Sequence, residues 1–165
     1  MILLLIGSET TFASRGLNYR GMDFFASGMN LAWINYAGDL DRLYEPRFIR
    51  ALDEVAEAGG NTIRWWLHTN GSRSPVFTDG KVSGLGRKNI PNLIRAFDLA
   101  EERGIALILC LFSFDLLQDQ QGVNHVNNKQ LIESREHTQA YIENALIPMV
   151  RAVKDHPALL AWEIF

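Results

Sequence analysis

The stretch that decides the fold is Gly59-Gly60-Asn61-Thr62-Ile63-Arg64-Trp65-Trp66-Leu67-His68. The glycine pair reads as the end of a helix, since glycine reaches left-handed backbone without a Cβ penalty. Asn61 to Leu67, rich in β-branched and aromatic side chains, reads as a strand. From His68 to Asn89 the chain is dense in Gly, Ser and Pro and reads as a long loop. Entry into the strand is therefore short, and the way out of it is long.

The same asymmetry repeats on both sides. Upstream, Phe24 to Trp33 is an apolar run with Gly28 inside it and is predicted as a strand; Asn35 to Leu43 is a polar loop. Glu45-Pro46 then opens a helix, with proline at its tolerated first position. Phe48, Ile49, Leu52, Val55 and Ala56 share one face of it. Downstream, Pro91 opens a second helix, with Leu93, Ile94, Phe97 and Ala100 in phase and Gly104 as its stop. Ile105 to Phe112 is continuously apolar, as in a strand buried on both faces. A polar loop, Asp115 to Asn128, leads to a third helix from about Lys129 to Asp155, which Pro148 should kink. His156-Pro157 ends that helix, because the residue before proline is pushed out of the α region. The apolar run Leu159 to Phe165 is then a fourth strand. The sequence stops inside that run. A free core strand leaves backbone groups unpaired, so the chain is expected to be part of a larger design.

Strands alternating with helices predict an α/β protein with a parallel sheet. A doubly wound sheet would offer a glycine-rich phosphate turn directly after a strand, and Gly84-Leu85-Gly86 lacks both the third glycine and that position. Long loops after strands and short turns before them match a (β/α)8 TIM-barrel type instead. A full barrel needs about 250 residues, so this chain supplies about the first four of the eight β/α units. Residues 1–23 read as an N-terminal lead-in and 24–165 as the N-terminal half of the barrel.

Composition narrows the function. The 165 residues are 47% apolar and 21% charged, ordinary for a globular domain. A formal net charge of −3 gives no reason to expect nucleic acid or an anionic membrane as partner. Cys110 is the single cysteine, so no intrachain disulfide and no multi-cysteine zinc site can form. No paired-histidine metal motif, nucleophile elbow or cofactor fingerprint is present, and none of these groups is expected. Met1 to Ile6 is apolar but lacks a basic lead and an adequate apolar core, so it makes no convincing signal peptide.

In a barrel, chemistry sits at the C-terminal strand ends. Arg64, Trp66 and His68 occupy alternate positions and so share a strand face. A guanidinium within an apolar strand requires a carboxylate partner. Trp33, Trp66, Phe112 and Phe114 gather at the same ends, an arrangement that suits either a sugar site or plain core. His68 reads either as a cleft residue or as a hydrogen-bonded histidine at the loop edge. Asp115 reads either as a cap or as a site residue.

Four segments together carry a family resemblance: Gly28 to Trp33, Gly59 to His68, Pro75-Val76-Phe77, and Leu159 to Phe165. In this order and spacing they resemble family 5 of the glycoside hydrolases, of the endo-β-1,4-mannanase type. The resemblance implies a β-mannan or related polysaccharide as substrate, an extracellular location, and retaining hydrolysis by two glutamates about 5–5.5 Å apart. It implies that Arg64 supports the nucleophile, and that Asn30, Trp33, Trp66 and His68 line the sugar cleft. It also places the acid/base just beyond Phe165 and the nucleophile on the seventh strand, so the chain is expected to be inactive alone. Glu163 lies one strand step below the acid/base position and is expected to hydrogen-bond within the barrel. The open edges of a half-barrel predict either a homodimer or a complementary C-terminal half-barrel as partner. The alternative is a non-catalytic carbohydrate-binding or interaction module.

Overall fold

A computed structural model describes residues 17–119 and 123–165. The Met1–Ile6 run and most of the lead-in lie outside these residues. In chain order the strands are β1 (Leu17–Tyr19), β2 (Met22–Phe24), β3 (Gly28–Leu31), β4 (Thr62–Thr69), β5 (Val76–Thr78), β6 (Lys81–Gly84), β7 (Ala106–Phe112) and β8 (Leu159–Glu163). The helices are α1 (Glu45–Glu57), α2 (Asn89–Glu101), α3 (His125–Glu133), α4 (Arg135–Tyr141) and α5 (Ile147–Val153). The order β3-β4-β7-β8 forms one sheet in which every pair is parallel. With the helices between its strands, this is roughly half of a (β/α)8 barrel.

The strand alternation decides what each face meets. Ile63, Trp65 and Leu67 of β4 and Leu107, Leu109 and Leu111 of β7 are buried in the core. They share it with Phe48, Leu52 and Val55 of α1, Leu93, Phe97 and Ala100 of α2, and Met149 and Val153 of α5. Phe48 and Trp65 meet with ring centroids 5.2 Å apart. Burying each such side chain contributes about 2 kcal/mol. The opposite face of the sheet carries Asn30, Arg64 and Glu163, all partly or fully open to solvent.

Three boundaries differ from the sequence reading. The strand expected over Phe24 to Trp33 narrows to Gly28–Leu31. The side chain of Asn61 holds the segment before it off the ladder: its Nδ2 donates to Phe25 O at 3.0 Å and its Oδ1 accepts from Ser27 N at 2.9 Å. The residues ahead form a small antiparallel hairpin, β1-β2, turned at Arg20 and Gly21, both at positive φ. Within the long loop after β4 lies a second hairpin, β5-β6, turned at Asp79-Gly80 with φ of 49° and 82°. Such a dipeptide is a standard tight-hairpin signal.

The third helix is three pieces. Asn124 caps α3 by accepting from Asn127 N at 3.1 Å, so helix begins earlier than Lys129. Ser134, extended at φ −105° and ψ 118°, separates α3 from α4. Ahead of Pro148 the backbone widens into one π-turn, Ile142–Leu146. Proline cannot donate to the carbonyl four residues back and its ring crowds it, and the wider turn relieves both. Pro148 then sits in the first turn of α5, where it is tolerated.

Among the described residues no helix is long and apolar enough to cross a membrane. Among the same residues no group of three or more His, Cys, Asp or Glu side chains is placed to hold a metal ion.

Candidate functional site

Parallel pairing sets Asn30 of β3 opposite Arg64 of β4, Trp66 of β4 opposite Cys110 of β7, and Cys110 opposite Glu163 of β8. Residues from the four neighbouring strands of the sheet thus converge over two adjacent levels of the inner face, Asn30 and Arg64 on one and Trp66, Cys110 and Glu163 on the next. Arg64 is the hub. Its Nε and Nη2 donate to the two oxygens of Glu163 at 2.6 and 2.8 Å, a two-point fork. Nη1 donates to Asn30 Oδ1 at 3.0 Å, and Nη2 also lies 3.1 Å from Cys110 Sγ. The carboxylate that a guanidinium in this strand requires is therefore Glu163.

The electrostatics follow from these contacts. The hydrogen bonds from Arg64 hold the Glu163 carboxyl below the usual carboxylate range, and the same contact raises the guanidinium further. Burial pushes the Cys110 thiol up to about 11, so it stays protonated and donates to Phe112 O at 3.0 Å. A thiol in that state is a poor nucleophile.

Aromatic rings border this row. Trp66 donates its Nε1–H to Asn30 Oδ1 at 2.9 Å, and the Arg64 Cζ lies 5.1 Å from its ring centre. Trp33 meets Trp66 nearly edge-on at 5.5 Å and Tyr36 at 4.9 Å. Trp33 and Tyr36 are exposed. The loop that presents them is held by Asp39, whose carboxylate accepts from Ile34 N at 2.8 Å, Asn35 N at 2.6 Å and Trp65 Nε1 at 3.0 Å. Burial raises the Asp39 pKa, and these bonds oppose the shift. Sequence reading passed over Asp39 and Tyr36. An aspartate inside a loop that follows a strand, Gly38-Asp39-Leu40, was the available signal.

His68, which reads from the sequence either as a cleft residue or as a hydrogen-bonded histidine at the loop edge, has a fully buried side chain. The β4–β7 register shifts between Trp66 and Thr69, and Thr69 has a φ of 55°, so His68 stands where the regular ladder gives out. Its Nδ1 lies 2.8 Å from Ser74 Oγ, and its ring packs against Phe112 and Tyr141 at 5.2 and 5.7 Å. Burial pulls its pKa down to about 3, so it is neutral. Phe112 is likewise core, while Phe114 is exposed. Asp115 is buried in a 3-10 turn that Ser113 caps, the Ser113 Oγ accepting from Asp115 N at 3.1 Å.

No protein-family model matches the chain. Its sequence is 31% identical to a mannan endo-1,4-β-mannosidase of Mytilus edulis, over 98% of this chain and 47% of that protein. It is 35% identical to the enzyme of the same name from Cryptopygus antarcticus, over 99% of this chain and 45% of that one. The crystal structure of the Mytilus edulis β-mannanase superimposes with a TM-score of 0.81 over 89% of this chain and 42% of its own. An endo-1,4-β-mannanase from Eisenia fetida superimposes with a TM-score of 0.79 at 28% identity, over 91% of this chain and 42% of its own. The chain spans a little under half the length of these relatives.

Proposed function

From its homology to the endo-β-1,4-mannanases of glycoside hydrolase family 5, over nearly all of its own length, we propose that this chain forms the substrate-side first half of such an enzyme. Arg64 carries the reading: it sits on the inner face, clamped on three sides, beside the half-buried Trp66. Asn30, Trp33 and Trp66 contact the sugar. Aromatic rings present flat apolar surface to the CH-rich faces of a mannose unit, and Asn30 offers a polar anchor beside them. His68 contributes from behind by packing, not by contact.

The division of labour follows from charge. Retaining hydrolysis needs a proton donor and a nucleophile, two carboxyls about 5–5.5 Å apart. Glu163 cannot be the donor, because Arg64 keeps it ionised. It cannot be a free nucleophile either, because both its oxygens accept from the guanidinium. The two catalytic glutamates belong to the part of the family enzyme that follows the segment corresponding to this chain. Arg64 retains an Nη1 hydrogen with which to meet the nucleophile. β-Mannan is the proposed substrate and an extracellular location the proposed setting, both by homology. The half-barrel is completed by a C-terminal half-barrel or by a second copy of this chain.

The test is a reducing-sugar assay on mannan paired with calorimetry on mannohexaose, using the pure chain. The expected result is binding without hydrolysis. Turnover that disappears in Glu163→Gln would overturn the assignment of the two catalytic groups. The exposed Trp33 edge favours a second reading, a module that binds carbohydrate and never cleaves it. That reading predicts no hydrolysis when a C-terminal half-barrel is supplied.

A further inference from the structure

Arg64 has five N–H donors. Two go to Glu163, one points at Cys110 Sγ and one reaches Asn30 Oδ1. Its partners therefore lie on all three other strands of the sheet, β8, β7 and β3. Asn30 Oδ1 is shared, because it also accepts from Trp66 Nε1, and the Arg64 guanidinium stands over the Trp66 ring. A continuous path of contacts runs from Glu163 at one end of the sheet to the aromatic pair at the other.

We propose that Glu163 is a positioning residue: acting through Arg64 and Asn30, it sets the orientation of the Trp66 indole. The physical basis is the rigidity of the guanidinium, which is planar and offers its donors in a fixed fork. A carboxylate bound at two points fixes that plane. Once the plane is fixed, so are Nη1, which orients the Asn30 amide, and the cationic face over Trp66. A glutamine at position 163 keeps the shape but turns an NH2 donor toward a guanidinium donor, so one arm of the fork is lost. A carboxylate that only tied β8 to β4 would place no demand on Trp66, which lies beyond the ion pair. The consequence for sugar binding rests on the proposed function; the orientation of Trp66 does not.

The experiment is nuclear magnetic resonance on the 15N-labelled chain, following the Trp66 indole N–H and the Arg64 Nε–H, assigned with W66F and R64K. Glu163→Gln is expected to shift both signals and speed their exchange with water, and Glu163→Asp to recover part of the wild-type position. A Trp66 signal unmoved while that of Arg64 moves would overturn the proposal. If Glu163→Gln does not fold, an acid titration of the wild type decides. The titratable and charged groups facing Glu163 are Arg64 from β4 and Cys110 from β7, and neither changes charge in acid. Both signals should then move with one shared midpoint, and separate midpoints would overturn the proposal. Mannohexaose titration reads the sugar consequence, an affinity loss of about tenfold in Glu163→Gln. Equal affinities would overturn that consequence. A wild type that binds no sugar counts against the proposed function alone, since the resonances still judge the positioning.

Discussion

At the scale of single residues, burial is what separates His68 from Arg64 and Trp66, which spacing placed with it on one β4 face. Arg64 announced its need for a carboxylate by standing in an apolar strand, and that much was legible. The identity of the partner was not, because Glu163 lies 99 residues away and only the β7–β8 pairing brings it near. Which of its two readings His68 would take was not legible, because period-two alternation holds only while the ladder is regular, and the register slips after Trp66. Its burial carries a pH consequence. The folded pKa of about 3 lies below the unfolded value near 6.5, so the unfolded chain binds the proton more tightly. Stability is thus fully present above about pH 6.5 and declines as pH falls toward 3. The contribution is on the order of a few kcal/mol across that window. Urea denaturation between pH 7 and 4 should show a steeper loss for wild type than for His68→Gln. Parallel slopes would mean that His68 is not held neutral by the fold.

At the scale of elements, α1, α2, β4, β7 and β8 were legible to within a few residues, because each combines a strong period with a stop signal. The two hairpins were not. Asp79-Gly80 carries a turn signal, but the strands it joins are three and four residues long, too short to show alternation. The third helix was read as one because its apolar stripe continues through the break at Ser134. Short β3 depends on one glycine. A Cβ on Gly28 would stand 1.6 Å from the Thr62 carbonyl oxygen, a backbone atom of the strand it pairs with. Gly28→Ala should therefore push β3 away from β4 and cost about 3 kcal/mol or more. Chemical denaturation checks this, and a loss below about 1 kcal/mol would show that the ladder yields more readily than its geometry implies.

At the scale of the molecule, the barrel class was legible in the contrast between long exits and short entries, a feature that survives every misplaced boundary. Among the described residues, β3 and β8 each pair on one side only. Apolar side chains stand near those edges: Phe25 at 83% exposure, Met29 at 48% and Ile164 at 64%. Exposed strand edges recruit other strands. Light scattering on fresh protein is therefore expected to give twice the chain mass, or a mass that rises only when a C-terminal half-barrel is added. A soluble monomer unchanged by that addition would argue against both modes of completion. The β5-β6 hairpin, finally, leaves a mark on how the chain is made. Lys81 pairs with Glu136, and Val82 O accepts from Asn144 Nδ2, contacts that span 55 and 62 residues. A ribosome releases the hairpin well before it releases the helices that grip it. During synthesis the hairpin must wait, its Phe77 and Val82 unsheltered, until α4 and the turn after it emerge. That interval is when a chaperone or protease would meet this segment, and slower translation through residues 85–144 would lengthen it.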